Sequence, residues 1–115
     1  ITSITQSDGG SAGQSATITL TGNSNALTLN QSGLFDHAFN LTGYGSNNTL
    51  NVTQSCAASL GGSQINIELR SYSSGGTSYT SDSNTIGITQ QGSVDHLVDL
   101  KISGNSNTYT ILQKN

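Results

Sequence analysis

The segment Asn48-Thr49-Leu50-Asn51-Val52-Thr53-Gln54 decides the fold, because its pattern recurs along the whole chain. An asparagine opens the segment, a glutamine closes it, and apolar residues alternate with polar ones in between. This alternation has the period of a β-strand, in which every second side chain points to the same face. The two terminal amides and the two apolar residues therefore share one face of a predicted strand.

Four complete copies of this pattern are present, and we name them the A strands. They occupy residues 25–31, 48–54, 84–90 and 107–113. A fifth copy at 1–6 lacks the opening asparagine. We predict that stacked copies form structural ladders of identical amides. The ladder residues are Gln6, Asn25, Gln31, Asn48, Gln54, Asn84, Gln90, Asn107 and Gln113.

A second alternating segment, richer in aliphatic residues, lies between successive A strands. These B strands occupy residues 16–20, 39–41, 65–69 and 98–102. Three of the four lead to the next A strand through a glycine placed three residues before its asparagine, namely Gly22, Gly45 and Gly104. A glycine at a fixed offset predicts a tight turn with a positive φ angle.

The spacing of the closing glutamines defines the repeat. It is 25, 23, 36 and 23 residues along the chain, and the extra residues fall between strands, in 7–15, 55–64 and 71–83. A solenoid tolerates insertions of this kind, because each coil contacts only its neighbours. We therefore predict an all-β fold in which residues 1–115 form a single β-solenoid domain. It has about four and a half strand-turn-strand coils, stacked in parallel and in register, with a loop insertion at 71–83.

In-register stacking accounts for the polar composition. Of the 115 residues, 31% are apolar and 8% are charged, and there is no Pro, Met or Trp. This is too little apolar mass for an ordinary two-layer globular core. Stacked coils place equivalent amides about 4.7 to 4.9 Å apart, so that each amide donates to one neighbour and accepts from the other. Burial of these polar groups is then compensated along the stack.

Charge and hydropathy exclude two kinds of partner. The net charge is -3 with three cationic residues, so no basic patch can neutralise phosphates, and nucleic acid is excluded. No apolar run approaches the roughly 20 residues of a spanning helix, so membrane insertion is not expected. The chain opens at Ile1 without a basic or signal segment, and we expect it to be a mature form.

Two Asp-His pairs, Asp36-His37 and Asp95-His96, form the only constellation that suggests chemistry. They fall in equivalent turns two coils apart, at about 9 to 10 Å, too far to share a metal ion. No serine completes a catalytic triad. We expect the aspartates to cap backbone amides and the histidines to lie at strand starts. A pH-sensitive role in assembly is the alternative, because histidine titrates near neutrality. We predict no enzyme activity, no catalytic residue, no metal site and no cofactor.

Cys56 is the single cysteine of the chain, so an internal disulfide framework is excluded. We expect a structural role for this residue. An intermolecular disulfide or a reactive thiol is the alternative, although no neighbouring cation is placed to lower the pKa of the thiol.

The repeats resemble the curlin repeat of the curli family, which comprises bacterial functional amyloid subunits with a repeat of roughly Ser-x5-Gln-x-Gly-x-x-Asn. Gln31-Ser32-Gly33 and Gln90-Gln91-Gly92 match the Gln-x-Gly element. The chain departs from the family pattern because asparagine rather than serine opens the A strand, Asp36 and Asp95 take the asparagine place, and the first and third copies lack Gln-x-Gly. These departures suggest a relative, such as a holdfast-anchoring subunit. The resemblance implies export through the outer membrane, an outer-membrane secretion or anchoring protein as partner, and polymerisation at the bacterial cell surface.

Unpaired strand edges at both ends predict self-association. Edges of matching sequence are a template for head-to-tail addition, giving an extracellular amyloid-like fibre for surface adhesion, biofilm formation or holdfast anchoring. The apolar residues expected at these subunit-subunit edges are Ile4, Ala16, Ile18, Leu20, Val98, Leu100, Ile102, Tyr109 and Ile111. The odd half coil leaves one B position empty where two copies meet. A neighbouring strand, the 71–83 loop or a partner protein could fill it.

The alternative function is that of a monomeric solenoid that binds ice or a glycan through a threonine-rich face. The outward residues that suggest it are Thr49, Thr53, Thr85, Thr89, Thr108 and Thr110. Other residues interrupt the threonine rows of this face, and a lattice-matched surface would repeat with few gaps. The interrupting residues are Ala26, Asn30, Asn51, Gly87 and Leu112. A polysaccharide-cleaving β-helix has less support, since only six acidic residues are spread along the chain.

Overall fold

A computed structural model describes residues 2–8, 13–34, 36–56, 63–70, 72–75, 77–79 and 81–115. Within these ranges the chain is all-β and contains no helix. The strands are β1 (Thr2–Asp8), β2 (Gln14–Thr21), β3 (Ala26–Gly33), β4 (His37–Tyr44), β5 (Thr49–Cys56), β6 (Ser63–Arg70), β7 (Tyr72–Ser74), β8 (Thr77–Tyr79), β9 (Thr85–Gly92), β10 (Leu97–Ser103) and β11 (Thr108–Lys114). No helix suited to crossing a bilayer is found in the described part of the chain.

Two parallel sheets face each other across the core. The five-stranded sheet has the order β1-β3-β5-β9-β11 and contains the A strands, and the four-stranded sheet has the order β10-β6-β4-β2 and contains the B strands. Each neighbouring pair is parallel and joins equivalent positions of the repeat, as where Gln54 pairs with Gln31 on one side and Gln90 on the other. The predicted β-solenoid with in-register parallel stacking is confirmed.

Apolar side chains fill the space between the two sheets. Along β4, β6 and β9, buried positions alternate with more exposed ones, so the period-two pattern of the sequence sets which residues face inward. The buried core comprises Leu27, Leu29, Phe39, Leu41, Leu50, Val52, Ile65, Ile67, Leu69, Ile86, Ile88, Val98 and Ile102. Burial of each of these side chains stabilises the fold by about 1.5 to 3 kcal/mol.

The returns from B strands to A strands are tight turns with two left-handed positions. Gly22, Gly45 and Gly104 have φ angles of 132°, 142° and 116°, as their fixed offset predicts. The sequence pattern does not reveal the second position, which directly precedes each ladder asparagine. It is held by Ser24, Asn47, Ser83 and Ser106, with φ angles between 57° and 60°. Backbone hydrogen bonds between successive turns, such as Asn47 N to Asn23 O at 2.9 Å, help to hold this conformation in place.

The long insertion between β6 and β9 contains a hairpin rather than an irregular loop. Strands β7 and β8 pair antiparallel, with Tyr72 opposite Tyr79, and form a separate two-stranded sheet. Gly75 lies at the turn with a φ angle of 59°. Serine, threonine and tyrosine residues on both sides of a glycine turn favour such a hairpin. After the insertion the regular turn resumes at Ser81, whose carbonyl accepts from Asn48 as the carbonyl of Gly45 accepts from Asn25.

Candidate assembly interface and its polar ladders

The glutamines form a continuous hydrogen-bonded ladder through all five A strands. Each Nε2 donates to the Oε1 of the glutamine one coil further along the chain. The donor-acceptor distances are 2.8 Å for Gln6 to Gln31, 2.9 Å for Gln31 to Gln54, 3.1 Å for Gln54 to Gln90 and 2.7 Å for Gln90 to Gln113. The three central glutamines are at most 1% exposed. The ladder has a direction, because every amide points its donor towards the C-terminal end of the solenoid.

The same glutamines also connect the two sheets. Nε2 of Gln31 donates to the carbonyl of Ser15 at 3.2 Å, that of Gln54 to Ser63 at 2.9 Å, and that of Gln113 to Leu97 at 3.2 Å. These carbonyls lie at or just before the start of the B strands. Gln31, Gln54 and Gln113 therefore bond to the backbone of the facing sheet as well as to the neighbouring coils.

The asparagine ladder runs in the opposite direction. The backbone N and Nδ2 of Asn48 both donate to Oδ1 of Asn25, at 2.9 and 3.1 Å. Asn84 donates in the same way to Asn48, at 3.0 and 3.1 Å, and Asn107 donates to Asn84, at 3.0 Å for both bonds. In the bonds between asparagines the donors thus point towards the N-terminal end of the solenoid, while Nδ2 of Asn48 also donates to the Ser81 carbonyl of the next turn. The repeat in the sequence predicts both ladders but carries no information on these directions.

The two ends of the solenoid present strand edges that pair with nothing in the described part of the chain. These edges belong to β1 and β2 at one end and to β10 and β11 at the other. Most of the predicted edge residues are incompletely covered there: Ile4 is 46% exposed, and Ala16, Ile18, Leu20, Leu100, Tyr109 and Ile111 are partly buried against the core. Apolar area remains for a further strand to cover at both ends.

Val98 and Ile102 differ from the other predicted edge residues. Their side chains are 6% and 1% exposed, so they belong to the buried core although β10 is an end strand of its sheet. Strand β10 therefore offers its backbone edge and Leu100 for pairing.

The outward face of the five-stranded sheet carries threonines in interrupted rows. The rows read Ala26-Thr49-Thr85-Thr108, Thr28-Asn51-Gly87-Thr110 and Asn30-Thr53-Thr89-Leu112. Each row contains at least one residue other than threonine, and Leu112 is 60% exposed. The array does not offer the regular spacing of threonines that a lattice-matched surface needs.

The Asp36-His37 pair takes part in the turn before β4. Oδ1 of Asp36 accepts a hydrogen bond from the backbone N of Gly13, one coil earlier. Nε2 of His37 lies 3.0 Å from the carbonyl of Ser32, and in the equivalent turn Nε2 of His96 lies 3.2 Å from the carbonyl of Gln91. The register places Ser63 between the two histidines, so they are two coils apart.

His37 is 1% exposed, and its Nδ1 has no hydrogen-bond partner in the described part of the chain. Burial lowers its pKa below the ordinary value of 6.5, and the Ser32 carbonyl and the Asp36 carboxylate oppose this only in part. His37 is thus held in its neutral form near neutral pH. Among the described residues, no group of three or more His, Cys, Asp or Glu side chains could hold a metal ion.

Cys56 closes β5, where its backbone pairs with Gly33 and Gly92 of the neighbouring coils. The side chain of Cys56 lies outside the described part of the structure, and so does Ile1 at the start of the first A strand. The expected structural role of this cysteine therefore stays a prediction.

Comparison with known proteins gives no matching relative. No protein-family model, no curated protein and no solved structure matches the chain. The resemblance to the curlin repeat therefore stays a prediction from the quoted motifs.

Proposed function

We propose that the chain is a structural subunit that polymerises head to tail into an extracellular amyloid-like fibre for surface adhesion, biofilm formation or holdfast anchoring. The observation that carries this proposal is the pair of end surfaces, whose strand edges are unpaired among the described residues while every internal edge is paired in register. A parallel edge of this kind accepts a further strand through the hydrogen bonds already used inside the sheet.

The two ends differ in the way that filament growth requires. One end is formed by β1 and β2 and the other by β10 and β11, so a contact between two copies joins unlike surfaces. A heterologous contact along the axis of a solenoid does not close into a ring, and it repeats with each added copy. The same contact therefore gives a fibre of unlimited length.

The chemistry of the end strands supports addition rather than capping. Natural monomers protect such edges with proline, inward charges or a covering segment. The inward positions of β10 and β11 are instead apolar or amide side chains, and the outward Lys101 and Asp99 neutralise each other at 3.3 Å. The chain has no proline. A second copy meets no charge repulsion at these positions.

The proposal has a cellular part, which the resemblance to the curlin repeat supports. We take the chain to be non-enzymatic and exported through the outer membrane of a bacterium. Its partners are further copies of itself and an outer-membrane secretion or anchoring protein. The Gln31-Ser32-Gly33 and Gln90-Gln91-Gly92 motifs support this part.

Incubation of the purified chain at neutral pH tests the proposal. We expect electron microscopy to show unbranched fibres, and X-ray diffraction from aligned fibres to show reflections at about 4.7 to 4.8 Å along the axis and about 10 Å across it. Preformed fibre fragments should remove any lag in growth. A chain that sediments as a monomer at high concentration, with or without fragments, contradicts the proposal.

A further inference from the structure

We infer that successive subunits in the fibre are related by a half turn about its axis, so that the five-stranded sheet of one copy continues as the four-stranded sheet of the next. This inference rests on the proposed function and specifies the contact between two copies. The observation behind it is the unequal strand count of the two sheets, which contain five and four of the described strands.

The strand count gives both ends the same stepped shape. The chain alternates between the sheets, so each strand lies half a strand spacing further along the axis than the strand before it. Because both β1 and β11 belong to the five-stranded sheet, that sheet projects at each end. β1 projects beyond β2, and β11 projects beyond β10.

Stacking by translation alone leaves a gap at every junction. It pairs β11 of one copy with β1 of the next, but β10 and the next β2 are then separated by one empty strand position. The partly buried Leu100 on one side and Ala16, Ile18 and Leu20 on the other would face this gap. The described hairpin does not fill it, because β7 and β8 pair with each other and belong to the return between β6 and β9.

A half turn removes the gap. It places β1 of the next copy on β10 and β2 of the next copy on β11, so two strand pairs form at each junction instead of one. Both pairs are parallel, because A and B strands run in opposite directions across the core. The end of β3 lies beside the start of β2, where Gln31 bonds to Ser15. The start of β3 lies beside the end of β4, where Asn25 bonds to Gly45. The half turn exchanges these two directions.

The apolar residues of the two ends then lie against each other. With the inward positions of the two strands in register, Ile4 lies on Leu100, and Tyr109 and Ile111 lie beneath Ala16 and Ile18. All six side chains are incompletely buried in the single copy. The outward neighbours are Thr5 beside Lys101 and Leu112 beside Thr19, which brings no like charges together.

The half turn interrupts the glutamine ladder at each junction, since Gln113 no longer faces Gln6 of the next copy. Both residues keep other bonds: Gln113 accepts from Gln90 and donates to the carbonyl of Leu97, and Gln6 donates to Gln31. One side-chain hydrogen bond is thereby lost per junction. A complete parallel strand pair with its apolar contacts is gained, which outweighs it.

Helical reconstruction of the fibres by electron cryomicroscopy tests this inference directly. We expect a rotation close to a half turn per subunit and a rise of about 22 Å, which is four and a half strand spacings. A rise of about 24 Å, five spacings, without the half turn overturns the inference but leaves the proposed function standing. If the chain forms no fibres, the proposed function fails and the inference fails with it.

Cysteine cross-linking in a Cys56→Ser background gives a second readout. Thr5→Cys with Lys101→Cys places the two thiols on adjacent strands of neighbouring copies only after the half turn, at a Cα separation of about 5 Å that a disulfide can span. Thr5→Cys with Leu112→Cys does so only under translation. All three positions are exposed. We expect oxidised fibres of the first double variant to give covalent oligomers on a denaturing gel, and those of the second to give monomers. The reverse result overturns the inference.

Discussion

At the scale of the residue, buried amides are tolerated because each one bonds to its equivalents in the neighbouring coils. Gln54 is fully buried, and it accepts from Gln31 and donates to Gln90 and to the carbonyl of Ser63. An unpartnered amide at this depth would cost about 1 to 3 kcal/mol. The ladder therefore allows a polar sequence to have a dry interior.

Replacement of Gln54 by leucine tests the ladder. Gln54→Leu leaves the Oε1 of Gln90 and the carbonyl of Ser63 without this donor in a buried site, so we expect the free energy of unfolding to fall by about 2 to 4 kcal/mol. Urea denaturation of freshly prepared monomer measures it. The matched control is Gln113→Leu at the partly exposed end of the same ladder, which should lose less than about 1.5 kcal/mol. Equal losses in both variants would contradict a ladder whose strength depends on burial.

Gly45 tests the tight returns. Its φ angle is 142°, and a Cβ there would lie 2.0 Å from the carbonyl oxygen of Ser81, which is backbone and cannot move aside. We expect Gly45→Ala to lower the free energy of unfolding by about 2 to 4 kcal/mol. Gly87→Ala is the control, because the nearest atom to its Cβ would be 3.9 Å away. The free energy of unfolding of that variant should lie within about 1 kcal/mol of that of the parent chain.

His37 gives the stability a dependence on pH. Burial lowers its pKa in the folded chain below 6.5, so the unfolded chain takes up a proton at a pH at which the folded chain does not. The stability associated with neutral His37 is complete above 6.5 and is lost as the pH falls from there towards the folded pKa. We expect the urea midpoint to decline as the pH falls below 6.5, and the decline to be smaller in His37→Gln. An unchanged decline in that variant would show that other groups cause it.

At the scale of the element, each coil is a unit that accepts an insertion between its strands. Ten residues separate Arg70 from Ser81, and they contain a hairpin that pairs only with itself among the described strands. The registers of β5 with β9 and of β6 with β10 continue across this insertion without a shift. The solenoid therefore does not depend on the hairpin for its alignment.

Deletion of residues 71–80 together with Ser81→Gly tests this independence. The variant has the return Arg70-Gly-Asp82-Ser83-Asn84, which copies the regular turns at Gly22, Gly45 and Gly104. We expect cooperative unfolding with a free energy within about 1 kcal/mol of the parent chain, because a shorter loop has a smaller closure entropy. Circular dichroism and urea denaturation measure the result. Loss of cooperative unfolding would show that the hairpin holds the solenoid together.

At the scale of the whole molecule, the solenoid has two unlike ends and a repeating interior. Each inner strand of the two sheets is paired on both of its edges, whereas each end strand keeps one unpaired edge among the described residues. Growth of the proposed fibre therefore requires that both ends of every subunit can bind a further copy. A defect at one end should stop polymerisation without preventing a single contact at the other end.

Complementary end defects test head-to-tail growth. Ile4→Lys places a charge on the β1 end and Ile111→Lys places one on the β11 end, so we expect each variant alone to stay monomeric. An equal mixture should form dimers and no fibres, because each variant keeps the end that the other lacks. Analytical ultracentrifugation measures both outcomes. Leu112→Lys is the control, since this side chain points outward at 60% exposure, and it should still form fibres. Fibres from either single inward variant would contradict the proposed contact.

The sequence by itself determines where the strands lie and how they register. The Asn-to-Gln template has a period of two residues, and its copies differ mainly by insertions between strands, so it predicts the five A strands, the four B strands and the inward face of each. The positive φ angles of Gly22, Gly45 and Gly104 follow from their offset in the same local pattern. These features are predictable because each depends on residues within one coil and its equivalents.

Only the tertiary structure decides the features that depend on how coils and sheets meet. The opposite donor directions of the two ladders depend on the backbone carbonyls of Ser15 and Gly45, which accept the remaining amide protons of Gln31 and Asn25. Val98 and Ile102 are buried although β10 is an end strand of its sheet. A linear repeat cannot express these relations, because burial and hydrogen-bond direction are set by neighbours that are distant along the chain.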